Sequence, residues 1–186
     1  MTTMLKRLFS RQVAAFESHY HYDMGYAHRL LRASRGAFLR FALFGRLAQY
    51  RAGVAPAPYF AARLAATLHE DCGPCTQLVL RMAEEAGVDA PTLRAIVGGD
   101  LAALDADTAL ALRYARAVLA HAPAADELCA AAEARFGERG LASLALAIAW
   151  TRVYPTLKRG LGAAHACERL EIGGQYLAPA AVQRAL

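Results

Sequence analysis

The sequence lacks the patterns of a membrane protein and of a secreted one. Its longest apolar run, Leu141 to Trp150, is far shorter than the roughly 20 residues that a membrane-spanning helix needs. The start, Met1 to Arg11, is basic but has no following apolar segment with a small-residue cleavage site, which argues against a secretory signal. We therefore expect a soluble, cytoplasmic protein that does not enter a membrane.

Strand-forming patterns are also scarce. No convincing run of Val, Ile, Thr or aromatic residues alternates with polar ones, and no Asn-Gly or Asp-Gly pair favours a hairpin turn. The frequent alanine, leucine and arginine favour helix, and 186 residues suffice for one domain with its own core. We predict a single all-α domain over 1–186, with an N-terminal helical layer at 1–53 and a helical core at 54–170.

Lysine is nearly absent, because Lys6 and Lys158 are the only two. The net charge of +5 and the pI near 9.2 therefore come from arginine. These basic residues are spread along the chain and form no dense stripe, and no nucleic-acid-binding motif is present. We expect no nucleic-acid partner.

Apolar periodicity and helix-boundary residues predict a series of helices separated by short breaks. Apolar and aromatic residues in the first helices exceed what one small core needs, which predicts a homo-oligomer. The first predicted elements are helices at about 4–20, 26–33, 36–50, 59–70 and 72–87, with a linker at 54–58. A short helix from Pro91 to Gly98-Gly99 follows, then a helix capped by Asp105 or Asp107 that runs to about Ala120, and a helix from Pro123 to about Gly137. The last predicted helix runs from Leu141 to about Arg169 with a kink near Pro155, and Gly173-Gly174 then begins a short tail.

The most informative motif is Cys72-Gly73-Pro74-Cys75. Pro74 fits the first turn of a helix, and Asp71 or Cys72 is suited to cap it, so the two thiols are expected at a helix start. Unpaired N–H groups and the positive end of the helix dipole stabilise a thiolate there, and Cys-x-x-Cys pairs often have a lowered pKa. The pattern predicts that one thiol is nucleophilic near neutral pH and that the pair is able to close a small disulfide ring, with no bound cofactor required.

Two other interpretations of the pair stay open. His165 and Cys167 would complete a zinc site if the fold brought them to the pair, and two buried cysteines would be chemically inert. Cys129 and Cys167 lie in apolar or alanine-rich helices and are expected to serve packing. His19 and His21 are expected to be ordinary surface or packing residues, since two nearby histidines do not fill a coordination sphere.

The segment Ala61 to Gly87, AARLAATLHEDCGPCTQLVLRMAEEAG, resembles the carboxymuconolactone decarboxylase family, in its alkylhydroperoxidase D-like branch. A helix leads to Cys-x-x-Cys, and the next helix ends in Ala-Glu-Glu-Ala-Gly. The resemblance implies an all-helical, oligomeric thiol peroxidase in which the two cysteines cycle between dithiol and disulfide. We expect the substrate to be a peroxide or a disulfide. It also implies a separate thiol reductant, such as a lipoyl-bearing protein, and places the family core at 54–170, after the extra N-terminal helices.

The chain departs from that family at two positions. Family peroxidases carry a histidine four residues after the second cysteine, where this chain has Val79, and a glutamate a dozen residues before the first, where it has Phe60. His69 and Glu70 are candidate replacements, so the predicted catalytic residues are Cys72, Cys75, His69 and Glu70. The alternative is a non-catalytic helical oligomer whose cysteine pair is structural, redox-sensing or zinc-binding.

Overall fold

A computed structural model describes residues 2–163 and 170–177, with side chains described from Ser10 onward except at 46 and 47. Within these residues the fold is all-α apart from one small antiparallel hairpin, which confirms the predicted class. The helices are α1 Thr2–Tyr20, α2 Gly25–Ala33, α3 Arg35–Leu47, α4 Pro56–His69, α5 Gly73–Glu85, α6 Ala90–Gly98, α7 Ala106–Leu119 and α8 Ala125–Gly160; the strands are β1 Leu170–Ile172 and β2 Gln175–Leu177.

Local chemistry explains several helix boundaries. Asp89 caps α6 by accepting a hydrogen bond from the backbone N–H of Thr92, and Asp105 caps α7 by accepting from Asp107 and Thr108. Gly87 and Gly99 have φ of 86° and 74°, the left-handed conformation in which the chain leaves a helix and which glycine adopts without steric cost. Gly87, Gly99 and Asp105 match the predicted boundaries, whereas the cap at Asp89 was not predicted.

Helix α4 is the centre of the main core. From Pro58 to Leu68 every residue of this helix is buried, and α4 contacts α5, α6, α7 and α8. Small residues such as Ala61, Ala62 and Ala66, each 0% exposed, let these neighbours approach closely. The buried members of this cluster run from Val54 to Ile172.

A second cluster joins the N-terminal helices to this core. Its buried members are Val13, Tyr22, Tyr26, Ala27, Leu31 and Phe38. Leu78 of α5 and Leu157 of α8 pack against it, so α1 to α3 form a layer over one side of the central bundle. Leu39 and Leu43 of α3 are exposed, at 44% and 58%. The predicted oligomer stays a prediction.

Three predicted elements differ in the structure. Pro56, assigned to a linker, opens α4, because proline is well suited to a first helical turn. Gly173-Gly174, predicted to release a tail, turns the chain between β1 and β2 with both φ values positive, at 57° and 73°. Helix α8 continues through Pro155 to Gly160, and its non-helical residue is Gly137 (φ 71°), where one helix was predicted to stop.

The side-chain amide of Gln77 in α5 holds the hairpin by hydrogen bonds to both backbone groups of Glu171. Gln77 Nε2 donates to the carbonyl of Glu171 at 2.9 Å, and its Oε1 accepts from the Glu171 N–H at 2.7 Å. The strands β1 and β2 pair antiparallel, with Glu171 opposite Tyr176. Within 2–163 and 170–177, no helix is long and apolar enough to cross a membrane.

Candidate functional site

The site begins at the sharp turn between α4 and α5. The N–H of Asp71 donates to the Leu68 carbonyl at 3.0 Å, and the N–H of Cys72 donates to the Thr67 carbonyl at 3.2 Å. These two bonds form a Schellman motif, which requires a left-handed residue at its turn, and Asp71 occupies that position with φ 47°. The motif fixes where Cys72 stands relative to the end of α4.

Cys72 and Cys75 lie in the first turn of α5, as predicted. Cys72 is the N-cap residue, and its carbonyl accepts hydrogen bonds from the N–H and the hydroxyl of Thr76 at 2.9 and 3.0 Å. The two sulfurs form a disulfide. Each cysteine is only 3% exposed. A reagent in bulk solvent therefore reaches these sulfurs only through an opening in the protein.

Such an opening exists on one side of the pair. A cavity of about 500 Å³ lies between the N-terminal layer and the central bundle, and Cys75 is part of its wall, whereas Cys72 is not. Phe60 and Val79, at the positions where the resembled family carries its proton relay, line the same cavity. The wall next to Cys75 is thus apolar at both of these positions.

One buried cation also lines this cavity. Arg63 of α4 is 9% exposed, and its Nε donates to Thr151 Oγ1 at 3.3 Å, while Nη1 contacts Met82 Sδ at 3.8 Å. The guanidinium lies 5.8 Å from the ring centre of Tyr59 and 5.6 Å from that of Phe60. Across residues 2–163 and 170–177 no carboxylate oxygen comes within 4.0 Å of it.

The surrounding tyrosines do not neutralise Arg63. Burial raises the pKa of Tyr59 and of Tyr154, and it raises the pKa of Tyr20 to about 12 with help from a hydrogen bond to Glu85. These phenols therefore stay protonated near neutral pH. Burial also lowers the pKa of Arg63, but a guanidinium stays charged in proteins. The cavity wall consequently carries a buried positive charge.

Glu70 is buried, but it is occupied by arginines of α8. Its Oε1 accepts a hydrogen bond from Arg152 Nε at 2.7 Å, and Oε2 accepts from Arg159 Nη1 at 3.1 Å. Arg159 also donates to the Glu70 carbonyl at 2.6 Å. Burial raises the pKa of this carboxyl, but the two arginines outweigh burial and hold its pKa below the ordinary 4.5. Glu70 ties the end of α4 to α8.

His69 is the last residue of α4 and is exposed. Neither His69 nor Glu70 is part of the cavity wall that contains Cys75. The structure therefore places both residues at the end of α4, outside the wall of this cavity. Their predicted catalytic roles, like those of the two cysteines, stay predictions.

A hydrogen-bonded group of polar residues lies at the solvent-facing side of the cavity. Glu85, near the end of α5, accepts a hydrogen bond from Tyr20 at 2.7 Å and lies 2.6 Å from Nε2 of His19. His19 thus binds a carboxylate of a neighbouring helix, consistent with its predicted packing role. Glu85 lines the cavity together with the exposed Gln49 and Arg51, and these polar residues mark the side that faces solvent.

The alternative zinc site finds no support in the described part of the chain. No group of three or more His, Cys, Asp or Glu residues there is arranged to hold a metal ion. His165 and Cys167, the proposed partners of the cysteine pair, lie outside the described residues. Cys129 is half-buried, unpaired with another cysteine and packed against the main core, as expected.

Sequence reasoning missed Arg63, Tyr154 and the cavity itself. The available signal was Arg63, the one charged residue in the segment Tyr59 to Leu68. Its burial depends on α1 to α3 covering that face of α4, which periodicity within one helix does not reveal.

Comparisons with models of known families, with characterised proteins and with solved structures find no match to this chain.

Proposed function

We propose that this protein is a thiol oxidoreductase in which Cys72 and Cys75 alternate between dithiol and disulfide. The observation that carries the proposal is the Cys72–Cys75 disulfide at the start of α5 with Cys75 on the cavity wall. A thiolate in the first turn of a helix is stabilised by the free N–H groups and the helix dipole. Because Cys75 is part of the cavity wall and Cys72 is not, Cys75 is assigned as the nucleophile and Cys72 as the thiol that resolves the intermediate.

With a peroxide ROOH the cycle balances as follows. The Cys75 thiolate attacks one peroxide oxygen, the O–O bond breaks, and Cys75 becomes a sulfenic acid while the leaving alkoxide takes a proton and departs as ROH. The Cys72 thiolate then attacks the Cys75 sulfur, forming the disulfide and releasing water after protonation. A separate dithiol reduces the pair by thiol–disulfide exchange and becomes oxidised itself. With a disulfide substrate, a mixed disulfide replaces the sulfenic acid.

The apolar residues Phe60 and Val79 set the expected rate. General acid or base assistance contributes about 10²- to 10⁴-fold, and the wall beside Cys75 supplies no such group at these two positions. An alkoxide needs a proton as it leaves, whereas a thiolate leaves unassisted more readily. We therefore propose slow turnover of peroxides and comparatively efficient exchange with small disulfides.

Family membership and cellular setting belong to the same proposal. The resemblance around the Cys-x-x-Cys motif supports assignment to the alkylhydroperoxidase D-like branch, with a lipoyl-bearing protein as a candidate reductant and a homo-oligomer as the working form. The reducing cytoplasm suits this cycle, because glutathione and thioredoxin systems there return disulfides to thiols.

A non-catalytic role is the second candidate. It is favoured by the 3% exposure of both cysteines and by the engagement of Glu70 with Arg152 and Arg159, which leaves that carboxylate a weak base. In this case the disulfide would be a structural or redox-responsive link within the first turn of α5.

Thiol counting on the reduced protein separates the two candidates. After one equivalent of peroxide or of a small disulfide, the oxidoreductase loses two thiols and gains an internal Cys72–Cys75 link. Cys72→Ser accumulates a trappable sulfenic acid or mixed disulfide at Cys75, whereas Cys75→Ser stays unreactive. Cys129→Ser is the matched control and behaves as the wild type. Thiols that persist in the wild type for hours would overturn the oxidoreductase and support the non-catalytic role.

A further inference from the structure

The cavity wall contains a buried cation without a carboxylate partner. A buried charge is unfavourable unless it is paired, and Arg63 has no carboxylate partner across 2–163 and 170–177. A guanidinium offers five N–H donors. In this protein one of them goes to a hydroxyl oxygen at 3.3 Å and one points to a thioether sulfur, a weak acceptor, at 3.8 Å.

The shape of the space around Arg63 identifies what sort of anion fits. The volume of about 500 Å³ is in the range of small-molecule sites, and most of the wall is aromatic or aliphatic. The apolar wall residues include Val13, Phe16, Phe38, Phe41, Leu78 and Met82. A small inorganic anion would leave this apolar surface in contact with water, so the fitting ligand combines one charged end with an apolar body.

The number and geometry of cations favour a carboxylate. Arg63 is the buried cation of the wall; Arg51 also lines the cavity but is exposed at its solvent side and donates to the Val54 carbonyl at 3.5 Å. The planar fork of one guanidinium matches the two oxygens of one carboxylate. Glu85, at the same side as Arg51, already accepts hydrogen bonds from Tyr20 and lies against His19, so it does not reach Arg63 as an ion pair.

We propose that this cavity is a binding site for a hydrophobic monocarboxylate, whose carboxylate pairs with Arg63 and whose apolar chain or ring fills the aromatic space toward Cys75. Thr151 Oγ1 holds the guanidinium in place through Nε, and Tyr59 and Phe60 pack beside the guanidinium. The site binds whether or not the cysteines react, so it stands apart from the proposed function. If both proposals hold, the bound body lies next to the nucleophilic sulfur.

The first test compares two probes of the same shape on the full-length protein. Decanoate carries the charge, and decanamide replaces the carboxylate by a neutral amide; acetate carries the charge without the apolar body. Isothermal titration calorimetry should show decanoate binding about tenfold or more tightly than decanamide, because a charge-assisted pair is stronger than a neutral one. Acetate should show no saturable binding. Equal affinity for decanoate and decanamide, or no binding of either, overturns the proposal.

The second test removes the charge. Arg63→Met keeps an apolar stem of similar length and should bind decanoate no better than decanamide. Arg116→Met is the matched control, since Arg116 is a partly buried arginine of α7 outside the cavity wall, and it should keep the wild-type preference. A retained preference in Arg63→Met overturns the assignment to Arg63. Should that variant fail to fold, Arg63→Lys replaces it and should keep only part of the preference.

One further variant distinguishes a failure of the binding-site proposal from a failure of the proposed oxidoreductase function. Cys72→Ser prevents the internal disulfide, and Cys72 is not part of the cavity wall, so this variant should keep decanoate affinity within about twofold of the wild type. Loss of decanoate binding in this folded variant would overturn a binding site that is independent of the dithiol cycle. Loss of catalytic turnover without loss of binding is the expected result.

Discussion

Arg63 and Cys75 belong to consecutive helices, α4 and α5, and line the same cavity. Between them the chain makes the Asp71 turn that places the cysteines at the start of α5, facing the buried surface of α4. The cavity thus combines a cation without a carboxylate partner, within the described residues, and a sulfur that is able to change oxidation state. Neither feature depends on His69 or Glu70, which lie away from its wall.

The location of Cys75 predicts a difference in alkylation rate between the two thiols. In the reduced protein, Cys75 should react with an apolar maleimide at least about tenfold faster than Cys72, because only Cys75 borders the cavity and reactivity requires access. Peptide mass spectrometry after a timed quench measures both rates. The half-buried Cys129 serves as an internal reference. Faster labelling of Cys72 would contradict the assignment of Cys75 as nucleophile.

The ion pairs of Glu70 predict its contribution to stability. Glu70→Gln should lower the free energy of unfolding by about 1.5 to 3 kcal/mol at pH 7, since it weakens charged hydrogen bonds to Arg152 and Arg159 at a buried position. Urea denaturation measures this change. Glu133→Gln is the control, because Glu133 is exposed on α8, and it should change stability by less than about 0.5 kcal/mol.

The lowered pKa of Glu70 predicts that its contribution to the free energy of unfolding depends on pH. Because the folded-state pKa of Glu70 lies below its ordinary 4.5, its contribution is fully present above pH 4.5 and is lost as pH falls through the folded-state value. The stability difference between wild type and Glu70→Gln should therefore shrink in acid. A difference that stays constant from pH 7 down to pH 3 would show that Glu70 does not stabilise the fold through its charge.

The end of α7 predicts a stabilising substitution. His121 adopts φ 52° in a Schellman motif, with its N–H donating to the Val118 carbonyl at 3.3 Å. A residue with a Cβ pays a steric cost of about 1 to 2 kcal/mol in this left-handed conformation, and glycine removes that cost. Glycine also increases the conformational entropy of the unfolded chain, which cancels part of the gain in stability. His121→Gly should raise stability by about 0.5 kcal/mol. Ala120→Gly, at the preceding position with φ −84°, should lower stability, and thermal unfolding compares the two.

The close approach of α8 to the Gly53 turn predicts a destabilising substitution at Gly140. A Cβ added at Gly140 would lie 3.1 Å from the Gly53 carbonyl oxygen and 3.3 Å from Val54 Cγ2, and it would overlap Phe136 Cβ. Gly140→Ala should cost about 1 to 3 kcal/mol through overpacking. Gly98→Ala provides the contrast, because nothing lies within 4 Å of the added atom and alanine favours helix. Similar stabilities for these two variants would refute the close approach of α8 to the Gly53 turn.

Much of the helical order could be predicted because it depends on local chemistry. The capping by Asp105, the exits at Gly87 and Gly99 and the position of Cys72 and Cys75 in a first helical turn each follow from a few neighbouring residues. The Gly173-Gly174 hairpin was not predicted, because the sequence has neither of the strongest hairpin pairs, Asn-Gly and Asp-Gly, although two glycines also suit such a turn.

By itself the sequence determined the all-α class and the place of the cysteine pair at a helix start, since both arise from interactions within one or two turns. Only the tertiary structure decided that Cys75 and Arg63 share a cavity, that Phe60 and Val79 make its wall apolar, and that Glu70 binds arginines more than 80 positions away. The physical reason is that side chains distant in the chain meet only when α1 to α3 and α8 pack around α4.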